Sequence, residues 1–195
     1  TTSGTYNCSG GDTSLQVNMS RYITLNVTKD SLIGIDLSAD SANTPIKIVS
    51  GNWDTTIIAG TNWIGYINYP SYDTIMTIYG DVNRFDCREN STKITGLDVS
   101  HNTALRVLNC LNNSLTSLNI SKCTALNYLN CCGNPFTTTA YDSIMCSLPS
   151  RNSGDNAKFY PLYNANDANS AIFLATNASN ATAKNWQVLY YDNGN

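Results

Sequence analysis

The chain has 195 residues, enough for one domain or one domain with a sizeable cap. It can bury roughly 70% of the surface its unfolded form exposes, so it needs no metal or disulfide to hold it together. Hydrophobic residues make up 42%, the formal net charge is −3 and mean hydropathy is −0.23; the 11 lysines and arginines are spread singly and no apolar run is long enough for a membrane helix, which argues against a nucleic-acid binder and a membrane-spanning protein.

Charged residues contribute only 13%, about half the usual quarter, and Glu89 is the sole glutamate. Asn, Thr, Ser and 12 tyrosines take their place. That balance is common in exported bacterial proteins, so a periplasmic, cell-surface or secreted location is expected. Thr1-Thr2-Ser3-Gly4 shows no charged segment followed by an apolar core, and any signal peptide is expected to be absent or already removed. Residues 1–14, with Cys8, read as a loose N-terminus.

Residues 15–81 read as a β-rich cap domain. Apolar residues alternate at Leu15, Val17 and Met19, at Ile23, Leu25 and Val27, at Ile33, Ile35 and Leu37, and at Ile46 and Ile48. Ile57-Ile58 and Met76–Tyr79 complete the series, with Lys29-Asp30, Asn43-Thr44-Pro45 and Tyr69-Pro70-Ser71 as punctuation. Short alternating strands at this spacing predict an antiparallel sheet or small sandwich. The stretch Ile46–Trp53, with Tyr69–Gly80 later, resembles the PKD-like, immunoglobulin-type caps that precede repeats in bacterial surface proteins. Its turn lacks the Asp of that family's Trp-Gly-Asp-Gly-like sequence, so the resemblance implies a covering role and no inherited ion site.

Residues 82–136 carry an internal repeat. Leu105, Leu108, Cys110 and Asn113 recur as Leu126, Leu129, Cys131 and Asn134, each 21 residues later. Val82, Phe85, Cys87 and Asn90 hold the same places upstream with a 23-residue step, because Ser91-Thr92-Lys93 stands where the next unit has Ser114. The pattern LxxLxCxxNxLTxLxVSxxT resembles the leucine-rich repeat, in the short internalin-like form of exported bacterial proteins. The spacing has its own logic. Leu105, Leu108 and Cys110 suit a turn leading into a short strand, and Leu115, Leu118 and Ile120 cover the return. Asn90, Asn113 and Asn134 sit where the chain bends away, positioned to bond backbone groups left unpaired there. One coil cannot bury its own leucines, so coils stack and strands pair in parallel. Cys87, Cys110 and Cys131 then form an inward ladder of buried thiols, whereas Cys132 points outward as the candidate exposed thiol.

Residues 137–195 read as a closing cap. Tyr141, Ile144, Met145 and Leu148 mark one helix face, with Thr138 or Thr139 as N-cap and Pro149 as stop. Lys158–Tyr163 reads as a strand, Ala168–Ala175 as a second helix and Trp186–Tyr191 as a final strand. The segment resembles the C-terminal closure of the same bacterial repeat proteins, including their Asn-Trp-x-Val strand. The expected fold is therefore α/β with predominant β: a short leucine-rich-repeat solenoid of parallel strands between an antiparallel, sandwich-like cap and a βα cap.

Chemistry-bearing patterns are few. His101 is the only histidine and falls in a surface turn. Asp86 is the strongest carboxylate on the strand face, but Asn109 and Asn130 hold the equivalent places, so the acid pair of a glycoside hydrolase does not recur there. No cysteine pair has CxxC spacing, which argues against zinc. The expectation is a protein that is not an enzyme and carries no cofactor and no metal. Residues alternating with the inward set point to the open strand face. They form the rows Arg84–Val107–Tyr128, Asp86–Asn109–Asn130 and Arg88–Leu111–Cys132. Arg and Tyr beside apolar residues suit a protein interface. The leading reading is protein–protein interaction or adhesion through this face. The alternative is a carbohydrate-binding module using Trp53, Trp63, Tyr66, Tyr69 and Tyr72.

Overall fold

The computed structural model describes residues 16–192; Cys8, Leu15 and the segment expected to be loose lie outside the described residues. Six strands precede the repeat: β1 (Tyr22–Val27), β2 (Ser31–Ala39), β3 (Thr44–Ser50), β4 (Trp53–Ala59), β5 (Ile67–Ser71) and β6 (Ile75–Tyr79). The repeat contributes β7 (Val82–Asp86), β8 (Ile94–Asp98), β9 (Val107–Asn109) and β10 (Tyr128–Asn130). The C-terminal part holds α1 (Thr138–Ser147), β11 (Ala157–Leu162), α2 (Ser170–Leu174), α3 (Ser179–Thr182) and β12 (Trp186–Tyr190).

The strands form two sheets. One has five strands in the order β4-β3-β6-β1-β8, antiparallel throughout. The other has seven, in the order β12-β11-β10-β9-β7-β2-β5. It is mixed: β2 runs antiparallel to β5 and β7, while β7, β9, β10, β11 and β12 are mutually parallel.

This corrects the expected fold class. The chain is a mostly β, sandwich-like molecule of one antiparallel and one mixed sheet, with helices of only 10, 5 and 4 residues, and not a parallel leucine-rich-repeat solenoid between separate caps. Two pairings overturn the solenoid. The first repeat strand, β7, is hydrogen-bonded to the antiparallel β2, with Leu37 opposite Phe85. The return segment of that same unit becomes β8 and pairs antiparallel with β1, placing Leu97 against Leu25 and Ile94 against Val27. Those apolar side chains gain a broad partner surface in β1 that a three-residue neighbouring strand could not supply. Elsewhere the return segments make only the isolated bridges Ser91↔Asn113 and Asp98↔Asn119, so no second parallel ladder closes the units.

Local expectations shift in places. Val17 and Met19 belong to no strand, and residues 19–20 form a turn. Tyr69-Pro70-Ser71, read as punctuation, lies within β5. That strand is the sheet edge, where a residue lacking an N–H is tolerated. The N-cap of α1 is Thr137, whose side chain accepts from the Ala140 amide.

One apolar cluster runs through the whole molecule. Ile23, Leu25, Ile46 and Ile78 from the antiparallel sheet join Ile35, Leu37 and Phe85 from the mixed sheet, then Leu108, Leu129 and Phe159. Tyr141, Ile144 and Met145 of α1 close its far end. With one face of the mixed sheet committed to this interior, the opposite face presents the residues that alternate with it. No helix is long and apolar enough to cross a membrane, among the described residues.

Candidate binding groove on the mixed sheet

The groove depends on side chains that hold neighbouring strand ends together. Asn113 Nδ2 donates to the carbonyls of Cys87 and Cys110, both at 3.0 Å. Asn134 repeats the device on Cys110 (2.9 Å) and Cys131 (3.0 Å), and its Oδ1 accepts from the Leu115 amide at 3.0 Å. Asn90 extends it to β2, where it bonds both the N–H and the carbonyl of Gly34, at 2.8 and 2.9 Å. Each amide satisfies backbone groups of two strands at once, where the chain leaves the sheet. Leu105, Leu108, Leu126, Leu129, Cys110 and Cys131 lie fully buried beneath. Burial pushes the Cys87, Cys110 and Cys131 thiols well above their ordinary value, so they pack as small apolar groups.

On the outer face, strand register places Arg84, Val107 and Tyr128 side by side, followed by Lys158 of β11. Asp86, Asn109 and Asn130 form the next row, followed by Tyr160. A groove of about 560 Å³ opens here. Six of the nine residues expected on the face line it: Arg84, Asp86, Arg88, Val107, Asn109 and Tyr128. Sequence reasoning placed Trp63 elsewhere, yet it stands at the rim with the Arg84 guanidinium 5.9 Å from its ring centroid, a cation–π contact. Asp36, whose Cα is the direct antiparallel partner of Asp86, also lines the groove. Neither contact has a short-range signal, since 21 and 50 residues of sequence separate the two pairs.

The third row corrects the expected face. Leu111 is 2% exposed and Cys132 is fully buried, so neither offers a surface. Distant aromatic side chains gather at this row. The Tyr66 hydroxyl donates to the Arg88 carbonyl, with its ring packed so closely on Gly34 that even a Cβ there would collide with it. The Arg88 side chain lies against Tyr191, and Tyr163 lies against Cys132. Burial pushes the Cys132 thiol up to about 12, and the expected exposed thiol is therefore inert. Asn130 is fully buried beside Tyr160 of the neighbouring strand and does not line the groove.

Asp86 dominates the electrostatics. It is 6% exposed, accepts from the Arg88 amide at 3.0 Å and Asn109 Nδ2 at 3.1 Å, and pairs with Arg88 Nε at 3.3 Å. Burial nevertheless lifts its carboxyl above the ordinary value, with the neighbouring Asp36 adding to the effect and the hydrogen bonds opposing it. Like charges directly opposite on an antiparallel pair destabilise a sheet. Asp36 and Asp86 stand side by side on one face of the sheet.

The cap aromatics do not form one platform. Tyr69 is 5% exposed and cannot stack on a ligand, whereas Trp53 pairs with Tyr72 at 6.2 Å, apart from the groove. Only Trp63 lines the groove, with Tyr66 nearby. His101 is exposed and stacks on Tyr22 at 4.2 Å. A wider hollow of about 1200 Å³ adjoins the 163–169 loop, and its one loop carboxylate, Asp167, is already satisfied by the Tyr163 and Asn169 amides. Among the described residues no three His, Cys, Asp or Glu side chains converge as a metal site. Comparison with known proteins found no matching family model, no matching curated protein and no matching solved structure.

Proposed function

We propose that this chain is a non-enzymatic, exported surface protein that binds a segment of another protein in the groove of the mixed sheet. The observation that carries the reading is the convergence of Trp63, Arg84 and Tyr128 around one groove. Those three residue types dominate the binding energy of protein interfaces when they surround a well-packed, partly desolvated centre. Asp86 and Asn109 supply that centre, already hydrogen-bonded and ordered before any ligand arrives. Such preorganisation lowers the entropy lost on binding. The exported setting rests on the low charge and the neutral polar surface.

A carbohydrate ligand is the second reading, favoured by Trp63 and Tyr128 standing in one groove with the amides of Asn109 and Asn127. Glycan-array binding compared with titration of a purified protein partner separates the two. For the protein reading, a captured partner binds at least about tenfold more weakly to Trp63→Ala and Arg84→Ala, and the array stays silent. Saturable sugar binding lost in Trp63→Ala establishes the second reading instead. Turnover on a substrate panel that disappears in Asp86→Asn overturns both.

A further inference from the structure

The groove does not end at Tyr128. A smaller cavity of about 290 Å³ shares Arg106 and Asn127 with it and is also lined by Arg151 and Asp155. The two make one trough across the sheet face. The chain has five arginines and a net charge of −3, yet four of the five, Arg84, Arg88, Arg106 and Arg151, line this trough. Lys158, exposed and in register beside Tyr128, adds a fifth basic group.

The carboxylates present do not cancel them. Three carboxylates, Asp36, Asp86 and Asp155, stand against the four arginines and Lys158, and Asp86 is already taken by Arg88. Among the described residues Arg84, Arg106 and Lys158 have no ion-pair partner. Unpaired cations gathered on an acidic protein, beside Trp63 and Tyr128, define a surface complementary to negative charge. Arg84 and Lys158 stand three strands apart, roughly 14 Å at the usual strand spacing. In an extended peptide, residues i and i+4 point the same way and lie roughly the same distance apart.

We propose that the occupant of the trough is an extended acidic segment of a partner protein, its carboxylates reaching Arg84, Arg106 and Lys158 while its apolar atoms pack on Trp63 and Tyr128. This rests on the protein-binding reading above and narrows it. Carboxylates suit guanidinium groups because two parallel hydrogen bonds can form with each.

The test is titration of the full chain with short poly-L-glutamate, in parallel with polygalacturonate and an oligothymidylate. Polyglutamate binds, weakens as salt rises and loses about tenfold in affinity in Arg106→Gln/Lys158→Gln, while Lys29→Gln/Lys122→Gln, which removes as much charge from exposed sites elsewhere, binds as the parent does. Absence of polyglutamate binding, equal loss in both double variants, or tighter binding of either other polyanion overturns the acidic-peptide assignment. A partner whose binding still depends on Trp63 would then leave the protein-binding reading standing without it.

Discussion

At the scale of single residues, Asp86 carries the tension between stability and function. A buried acid opposite Asp36 raises the free energy of the folded state, and its bonds to Arg88 and Asn109 offset only part of that. The sign of its pH dependence follows from the raised native value. Below the ordinary value of 3.8 the group is protonated in both states and contributes no penalty. The penalty grows as pH rises through the raised native value and is complete above it. Asp86→Asn removes it, so the stability of this variant relative to the parent improves between about pH 3 and about pH 7. Urea unfolding across that range checks the trend; a relative stability that falls with pH would make the Arg88 ion pair the governing interaction.

At the scale of elements, the asparagines that clamp the strand ends are not equivalent. Asn134 Oδ1 accepts from the Leu115 amide, but Asn113 Oδ1 is buried without a partner. One unit earlier, the residue equivalent to Leu115 is Ile94, displaced by the 91–93 insertion and drawn into β8 beside β1. Asn134→Ala strands a buried donor as well as losing its bonds, and costs about 2–4 kcal/mol. Asn113→Ala leaves the Cys87 and Cys110 carbonyls bonded to Asn90 and Asn134, and costs about 1–2 kcal/mol. Chemical denaturation of both variants gives the order; an equal or larger loss at Asn113 would contradict the clamp geometry.

The same elements show what can be read from sequence. The 21-residue step and the 23-residue step aligned Arg84, Val107 and Tyr128 correctly, because in-register pairing depends only on local spacing. The i, i+3, i+4, i+7 pattern located α1 for the same reason. The destination of Ile94 and Leu97 was illegible, since the apolar pattern of a return segment is also that of a strand. The burial of Leu111 and Cys132 was equally hidden, because the aromatic side chains gathered at their row, Tyr66, Tyr163 and Tyr191, come from far along the chain. Trp63 joined the site through a tertiary contact that no local pattern encodes.

At the scale of the whole molecule, the two halves of the sequence are stitched together. β2 pairs with β7, β1 pairs with β8, and one apolar cluster spans both sheets. The cap region therefore cannot unfold while the repeat strands keep their edge partners. Unfolding is expected as one transition, with tryptophan fluorescence and far-ultraviolet circular dichroism giving coincident curves. Separated midpoints would mean that the 15–81 and 82–136 regions fold on their own. The groove gains from this stitching, because its rim (Trp63) and its floor (Asp86, Asn109) come from opposite sides of the junction.

The most direct measurement is site-specific photo-crosslinking from two positions on opposite sheets, Val107 in the groove and Thr56 on β4. With a photoreactive side chain at Val107 the protein captures its partner, and capture disappears when Trp63→Ala is added. The same group at Thr56, exposed but remote, captures nothing specific. Capture from Thr56 and none from Val107 would place binding on the antiparallel sheet and contradict the groove as the functional surface.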